Sequence, residues 1–459
     1  MIRYGTARLS SECVDFRPVR VLEIELTERL PSITNGPSEA GLTYGSAAIL
    51  FRLHGQPLDT VIVQLSEEVL SPAGLAAVLS DHLTSTVNEH LQREALPAVH
   101  SLDELSSPEY QLPCSAWNTP NGIDTVSLSV VVPTYRRPHE LARCLDSVLA
   151  NTSSPLEVIV VDNDPADGRS ALMLQERFAG VASIRYLPEP TMGAARARNR
   201  GFRAAKGDVV ALVDDDVTVD AHWVAIMRRT FAGDPTLDCV TGLILAQELE
   251  TPAQLWCEQY GGFNKGYSSQ LFDLVEHTRP GLYPYQVGIY GSGSNMALRR
   301  SSFASSDVFD VRLGPGTPTC GAEDLDVFLD VVLGGGLLRY EPSAIVWHPH
   351  HRDYAAFKRT MRGYGRGLGA LVAKRLLVNG AHRRQLLRRL PAGVAFALNP
   401  RSAKNSRKRP GYPAAATWYE LLGLVEGPVA YACSRASSRR PTGRSDTLGT
   451  VGVAARAVR

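Results

Sequence analysis

The sequence predicts an α/β fold. A mixed sheet flanked by helices is preceded by a small α+β module and followed by a helical, basic region. Three observations predict it. Continuous apolar runs of strand length alternate with segments of helical period over residues 127–350, the pattern of strands buried on both faces. Residues 1–95 instead show an alternating strand, a hairpin signal and one long amphipathic helix. Residues 352–410 carry 16 basic and 1 acidic side chains, with apolar residues at helical spacing between them.

In the first module, Val19–Leu26 alternates as a strand. Ala47–Leu53 and Thr60–Leu65 flank His54-Gly55-Gln56-Pro57, which reads as a hairpin turn. Ser71 offers an N-cap and Pro72 a first helical residue. The helix runs to about Leu91, with Leu75, Val78, Leu79, Leu83, Val87 and Leu91 on one face. Nothing in this module is catalytic in type, which suggests a docking or structural role. Residues 96–126 are rich in Pro, Ser, Asn and Asp without period and read as a linker.

The pattern changes at Leu128. Leu128–Val132 is an apolar run stopped by Pro133, and Pro138–Ala150 is helical in period. Leu156–Val161, Ile184–Leu187 and Val209–Val213 are further strands, with a helix at Gly193–Ala205. Asp220–Phe231 is helical, and mixed strands follow at Leu237–Ala246 and Asn295–Leu298. Glu323–Leu333 is a helix, and Ala344–Trp347 a strand. From Asp353 the chain is helical: Tyr354, Phe357, Met361 and Tyr364 recur at helical spacing among Lys358, Arg359, Arg362 and Arg366. Leu421–Tyr431 reads as a short apolar helix interrupted at Gly427-Pro428. Residues 351–435 form the basic helical region, and 436–459, rich in Ser, Arg and Gly, read as a disordered tail.

The net charge of +1 hides an asymmetry, since residues 1–125 carry 16 acidic and 7 basic side chains against the basic region near the C-terminus. Such a region implies an anionic partner, with contact to an anionic membrane surface as the expectation and no nucleic acid. No stretch approaches the ~20 apolar residues of a membrane span. The N-terminus carries no apolar run suited to a secretory signal. Seven scattered cysteines without a CxxC pair argue against disulfides and zinc. Together these imply a cytoplasmic protein, peripheral at the inner face of the membrane.

The chemistry concentrates where the strand Val209–Val213 ends in Asp214-Asp215-Asp216. Adjacent carboxylates repel one another and are costly to desolvate, so they call for a counter-ion. Clustered oxygens suit Mg²⁺ or Mn²⁺. The carboxyl ends of strands are where open α/β sheets bind ligands. An acidic turn capping the next helix is the plain alternative.

Ser129-Val-Val-Val-Pro-Thr-Tyr-Arg136 resembles the opening strand and loop of family 2 glycosyltransferases, which have the GT-A (nucleotide-diphospho-sugar transferase) fold. Val160-Val-Asp-Asn163, Gly193-Ala-Ala-Arg-Ala-Arg-Asn-Arg-Gly201, the Asp triplet, Gly321-Ala-Glu-Asp324 and Trp347-His348 agree in order and spacing. The resemblance covers about residues 128–350. It implies a metal-dependent inverting glycosyltransferase that moves a sugar from a nucleoside-diphosphate donor to a hydroxyl acceptor on a cell-envelope or lipid-linked glycan.

The resemblance also implies site residues. Asp214, Asp216 and His348 would hold a divalent metal, Mn²⁺ or Mg²⁺. Asp215 would touch ribose or sugar hydroxyls. Asp324 would be the catalytic base, with Glu323 contacting acceptor or donor hydroxyls. Pro133, Thr134, Tyr135, Asp162 and Arg196 would meet the nucleotide, and Gly291-Ser-Gly-Ser-Asn295 would lie beneath the donor sugar. A leaving diphosphate gathers negative charge, which a metal neutralises. The acceptor hydroxyl needs a base as its oxygen bonds. A sugar-nucleotide nucleotidyltransferase is an alternative, but it needs a glycine-rich triphosphate loop, and Pro133-Thr-Tyr-Arg-Arg-Pro138 has no glycine. A non-catalytic sugar-nucleotide-binding module is a third possibility, which the retained acids argue against.

Overall fold

A computed structural model describes residues 16–66, 69–111 and 125–437, apart from 262, 278, 280, 306, 379, 403, 409 and 410. Residues 112–124 of the expected linker and 438–459 of the expected tail lie outside the described residues.

The N-terminal sheet has the order β1 (Val19–Glu25), β2 (Ser46–Leu53), β3 (Gln56–Gln64), with β1 parallel and β3 antiparallel to β2. The hairpin turn is tighter than its sequence suggested. His54 and Gly55 alone form it, at φ 54° and 78°, the left-handed pair of a type I′ turn. Gln56 and Pro57 are thereby released to pair with Leu53 and Arg52. Helix α1 (Pro72–Arg93) starts as expected, Ser71 accepting from the Gly74 N–H. Leu75, Leu79, Leu83, Val87 and Leu91 are fully buried against the sheet, whereas Val78 faces out at 39% exposure. This layer sits on the larger one through Val19, which pairs with Leu249, and through Arg52, which bridges Glu23 at 2.8 Å and Asp220 at 2.6 Å.

The main sheet contains β4 (Leu128–Thr134), β5 (Glu157–Asp162), β6 (Ile184–Pro188), β7 (Val209–Val213), β8 (Thr218–Val219), β9 (Leu237–Ala246), β10 (Gln270–Phe272), β11 (Asn295–Arg299) and β12 (Leu337–His348). Its order is β10-β12-β9-β11-β7-β4-β5-β6, with β8 pairing β12. The half from β7 to β6 is parallel, and β11 runs antiparallel between β7 and β9. This is the mixed sheet of the GT-A fold. Alternate residues of the strands face opposite layers. Leu128, Val130 and Val132 pack with α2 (Pro138–Leu149), α3 (Arg169–Phe178) and α5 (Trp223–Gly233). Val131 and Ile159 pack with α4 (Ala194–Ala204) and α7 (Glu323–Leu333) on the other face. Helix α6 (Pro252–Gln259) opens with a capping box from Thr251 and Gln254.

Three helices close the chain: α8 (Tyr354–Val378), α9 (Gly380–Leu398) and α10 (Ala414–Ser437). The short interrupted helix expected at Leu421–Tyr431 is instead part of one 24-residue helix that runs through Gly427-Pro428. Glycines let it lie directly on α8. A Cβ at Gly423 would stand 2.1 Å from the Arg362 carbonyl oxygen, and one at Gly369 2.2 Å from that of Leu424. The apolar side of α8 is covered: Phe357 and Met361 are buried with Ala253 and Ala416. Many of its cations are also spent internally. Arg362 and Arg366 pair with Glu426, and Lys374 and Arg375 with Asp326. No described helix is long and apolar enough to cross a membrane.

Candidate active site

The site forms where β7 and β12 end and β11 and α7 begin. Strand β7 is fully buried, and its last residue, Val213, delivers the Asp triplet at its carboxyl end. His348 is the last residue of β12, in register with Ala246 of β9. Single side-chain atoms of Asp214, Asp216 and His348 lie within 4.8 Å of one another. His348 Nε2 stands 3.7 Å from Asp216 Oδ1. Asp216 Oδ1 and His348 Nδ1 are buried without a hydrogen-bond partner in this structure. Buried polar atoms are ordinarily satisfied, so two orphans in one cluster of carboxylate and imidazole donors fit a divalent ion. Burial pushes the His348 imidazole below its usual range against the pull of Asp216. A neutral ring has the lone pair a metal needs.

Asp214 is oriented from two sides. Arg198 donates to Oδ1 at 2.8 Å, and the Ser294 hydroxyl donates to Oδ2 at 2.6 Å. Burial raises its pKa, but the charge of Arg198 and the bond from Ser294 outweigh that and hold the carboxyl below its ordinary value. Asp215 points elsewhere. It is buried, and its oxygens meet the Thr134 hydroxyl at 2.7 Å, the Tyr135 N–H at 3.4 Å and Arg137 at 3.4 Å. Burial and the neighbouring Asp216 charge lift its pKa to about 7. Arg137 also donates to Asp216 at 2.6 Å, so it joins the loop after β4 to the triplet.

Glu323 and Asp324 are the first residues of α7, preceded by Ala322 at φ 75°, a strained conformation for a residue with a side chain. Glu323 is buried and paired with Arg198. Desolvation lifts its pKa to about 7 despite that cation. Asp324 accepts from the Gly293 N–H at 2.7 Å and the Leu325 N–H at 2.8 Å. The first bond requires glycine, because a Cβ at 293 would be 2.8 Å from the Asp324 Cβ. The small-residue segment 291–295 thus holds two acids, Asp214 through Ser294 and Asp324 through Gly293. Asp326, a weaker candidate for the base, is buried in ion pairs with Lys374 and Arg375.

Arg198 is the residue that sequence reasoning missed. It is fully desolvated on α4 and joins Asp214 to Glu323. Helix α4 can approach the sheet this closely because residue 201 is glycine; a Cβ there would fall 2.2 Å from Val131 Cγ1. A signal was present. Ala195, Arg198 and Phe202 share the apolar face of the helix, and a lone arginine on such a face needs a buried anion.

The acids line a cleft of about 1970 Å³, which Asp214, Asp216, Glu323, Asp324, His348 and Arg198 share. Of the expected nucleotide residues, Pro133, Thr134 and Asp162 stand at the carboxyl ends of β4 and β5 and Arg196 on α4, and none of them lines this cleft. Thr134 is in register with Asp162, which accepts from the Tyr186 hydroxyl at 3.0 Å. Pro133 is half-buried on β4 and Tyr135 is exposed. Arg196 is half-buried next to Gly193, and its side chain makes no hydrogen bond or ion pair among the described residues.

Two acids at a strand end, an acid pair opening a helix and a histidine closing a strand thus meet in one cleft. Residues 129–305 match the model of glycosyl transferase family 2. A pre-mycofactocin glycosyltransferase of Mycobacterium tuberculosis is 31% identical over 245 residues, which is 52% of this chain and 47% of that protein. Succinoglycan biosynthesis protein ExoM of Rhizobium meliloti is 30% identical over 260 residues, covering 55% of this chain and 77% of that protein. The chain spans about half the length of the Mycobacterium relative. A solved mannosyltransferase of Pyrobaculum calidifontis, in complex with GDP-Man and Mn²⁺, is similar at a TM-score of 0.42 and 14% identity over 80% of this chain and 98% of that one. The chain belongs to glycosyltransferase family 2.

Proposed function

We propose that the protein transfers a sugar from a nucleoside-diphosphate donor to a hydroxyl acceptor, on a glycan or lipid-linked glycan, with metal dependence and inversion at the anomeric carbon. The observation that carries this is the shared cleft: three potential metal ligands stand beside two acids at a helix start. Asp214, Asp216 and His348 would hold Mn²⁺ or Mg²⁺, which supplies charge neutralisation at the departing diphosphate. Arg198 keeps the Asp214 carboxylate ionised and turned toward the cleft.

Asp324 is the base in this reading. Each of its oxygens accepts one backbone N–H, so the carboxylate is fixed in orientation and keeps lone pairs for an acceptor proton. Glu323, buried and already paired with Arg198, is suited to hydrogen bonding with sugar hydroxyls rather than to proton removal. A single displacement assisted by one base predicts inversion. The loop Pro133–Tyr135, with Asp162 and Arg196, is the proposed nucleotide side. Asp215 reaches that side only indirectly, by fastening the loop through Thr134.

Incubation with a panel of nucleoside-diphosphate sugars and Mn²⁺ tests the reading. Release of nucleoside diphosphate that stops on chelation is expected. Release of pyrophosphate from a sugar phosphate and a nucleoside triphosphate would favour a nucleotidyltransferase instead.

A further inference from the structure

Helix α10 is polar on the wrong side for a helix in water. Its acids point inward: Glu420 accepts from the Tyr260 hydroxyl at 2.7 Å, and Glu426 from Arg362 at 2.9 Å and from Arg366. Its outward face carries Trp418, Leu422, Val425 and Val429, at 70%, 46%, 76% and 66% exposure, and no exposed position of this helix is charged. These residues follow one another at spacings of 4, 3 and 4, a single stripe roughly 16 Å long. A contiguous exposed apolar stripe marks an interaction site.

Helix α9, which packs on α8 as α10 does, supplies the charge. Helix α9 exposes Leu387, Val394 and Leu398 together with Arg383, Arg384 and Arg388. No Asp or Glu occurs between Asp353 and Glu420. Both helices reach the cleft, since Val394 of α9 and Pro428 of α10 line it and are both exposed.

We infer that the outer faces of α9 and α10 form one docking surface for an anionic lipid bilayer. An anionic headgroup layer complements the arginines, whose stems can lie along the apolar surface while their heads meet phosphate. The apolar stripe enters the acyl boundary, with Trp418 at the headgroup level where aromatic rings settle. A second copy of the chain is a poorer occupant, because a twofold contact would set the arginines of one α9 against those of the other. Docking in this way sets one mouth of the catalytic cleft against the leaflet. This surface stands independently of the proposed chemistry.

Flotation of the full chain with vesicles tests it. Binding to phosphatidylcholine vesicles containing phosphatidylglycerol is expected at low salt, with much weaker binding at high salt or to phosphatidylcholine alone. The double substitution Val425→Asp/Val429→Asp should lower the bound fraction at least about tenfold, while circular dichroism and nucleoside-diphosphate release stay unchanged. Replacing Arg383, Arg384 and Arg388 by Gln should flatten the salt dependence. No flotation of the natural chain at low salt, or equal flotation of the double variant, overturns the inference. So does a dimer in sedimentation velocity that Val425→Asp/Val429→Asp dissolves without any vesicle binding. A chain that floats yet releases no diphosphate keeps this surface and loses the proposed reaction.

Discussion

Arg198 donates to Asp214 across the gap between α4 and the end of β7, at 2.8 Å, from a buried position at the wall of the cleft. Its second bond goes to Glu323, so one guanidinium couples the metal-side acid to the acid pair of α7. A lysine retains the charge but not the fork. Arg198→Lys is expected to lower turnover about 10²-fold through misplacement of the acids, with a smaller change in donor KM. Steady-state diphosphate release measures both. Unchanged turnover would reduce Arg198 to a packing role.

Asp324→Asn keeps an oxygen for the Gly293 N–H and removes the basic carboxylate. Turnover should fall by roughly 10²–10⁴-fold, with donor affinity nearly intact. Isothermal calorimetry with the nucleoside diphosphate and single-turnover kinetics separate the two. Near-normal turnover would mean that another group takes the proton.

The crossing of α8 and α10 is set by backbone contact. In Gly423→Ala the new methyl would meet the Arg362 carbonyl oxygen at 2.1 Å, and no side-chain rotation relieves that. The helices must separate, at a cost of about 1–3 kcal/mol. Urea denaturation should show the loss, and a midpoint equal to that of the natural protein would contradict the crossing.

In the N-terminal layer, His90 faces His54 at 3.1 Å and is almost wholly buried. Burial first, then the charges of His54 and Arg93, lower its pKa from 6.5 to about 4. The unfolded chain therefore binds more protons than the folded one between these values, so stability is complete above about 6.5 and is lost as pH falls toward 4. Melting temperatures from pH 7 to pH 4 should drop more steeply for the natural protein than for His90→Gln. Parallel curves would show that this histidine does not contribute.

The strands that position the site were legible because each is a continuous apolar run bounded by turn residues, as in Val209–Val213 before the triplet. Single-atom geometry was less so. Only the family resemblance set Asp215 apart from its neighbours, and its contacts were not legible, since its direction depends on Thr134 and Arg137 from a distant loop. What covers the apolar face of α8 stayed open for a similar reason. Helical spacing of Phe357 and Met361 marks an apolar stripe but does not say whether protein or lipid covers it, and here α6 and α10 do. The outward stripe of α10 was hidden by Gly427-Pro428, which local rules read as a break. Gly427 is instead a point of close approach to Gly369 within an unbroken helix.

Binding of Mn²⁺ in the presence of nucleoside diphosphate, followed by electron paramagnetic resonance, tests the central claim most directly. The account predicts saturable binding that is lost in Asp216→Ala and in His348→Ala and retained in Asp324→Asn, with all three variants folded by circular dichroism. Equal Mn²⁺ binding by Asp216→Ala, His348→Ala and the natural protein would contradict it.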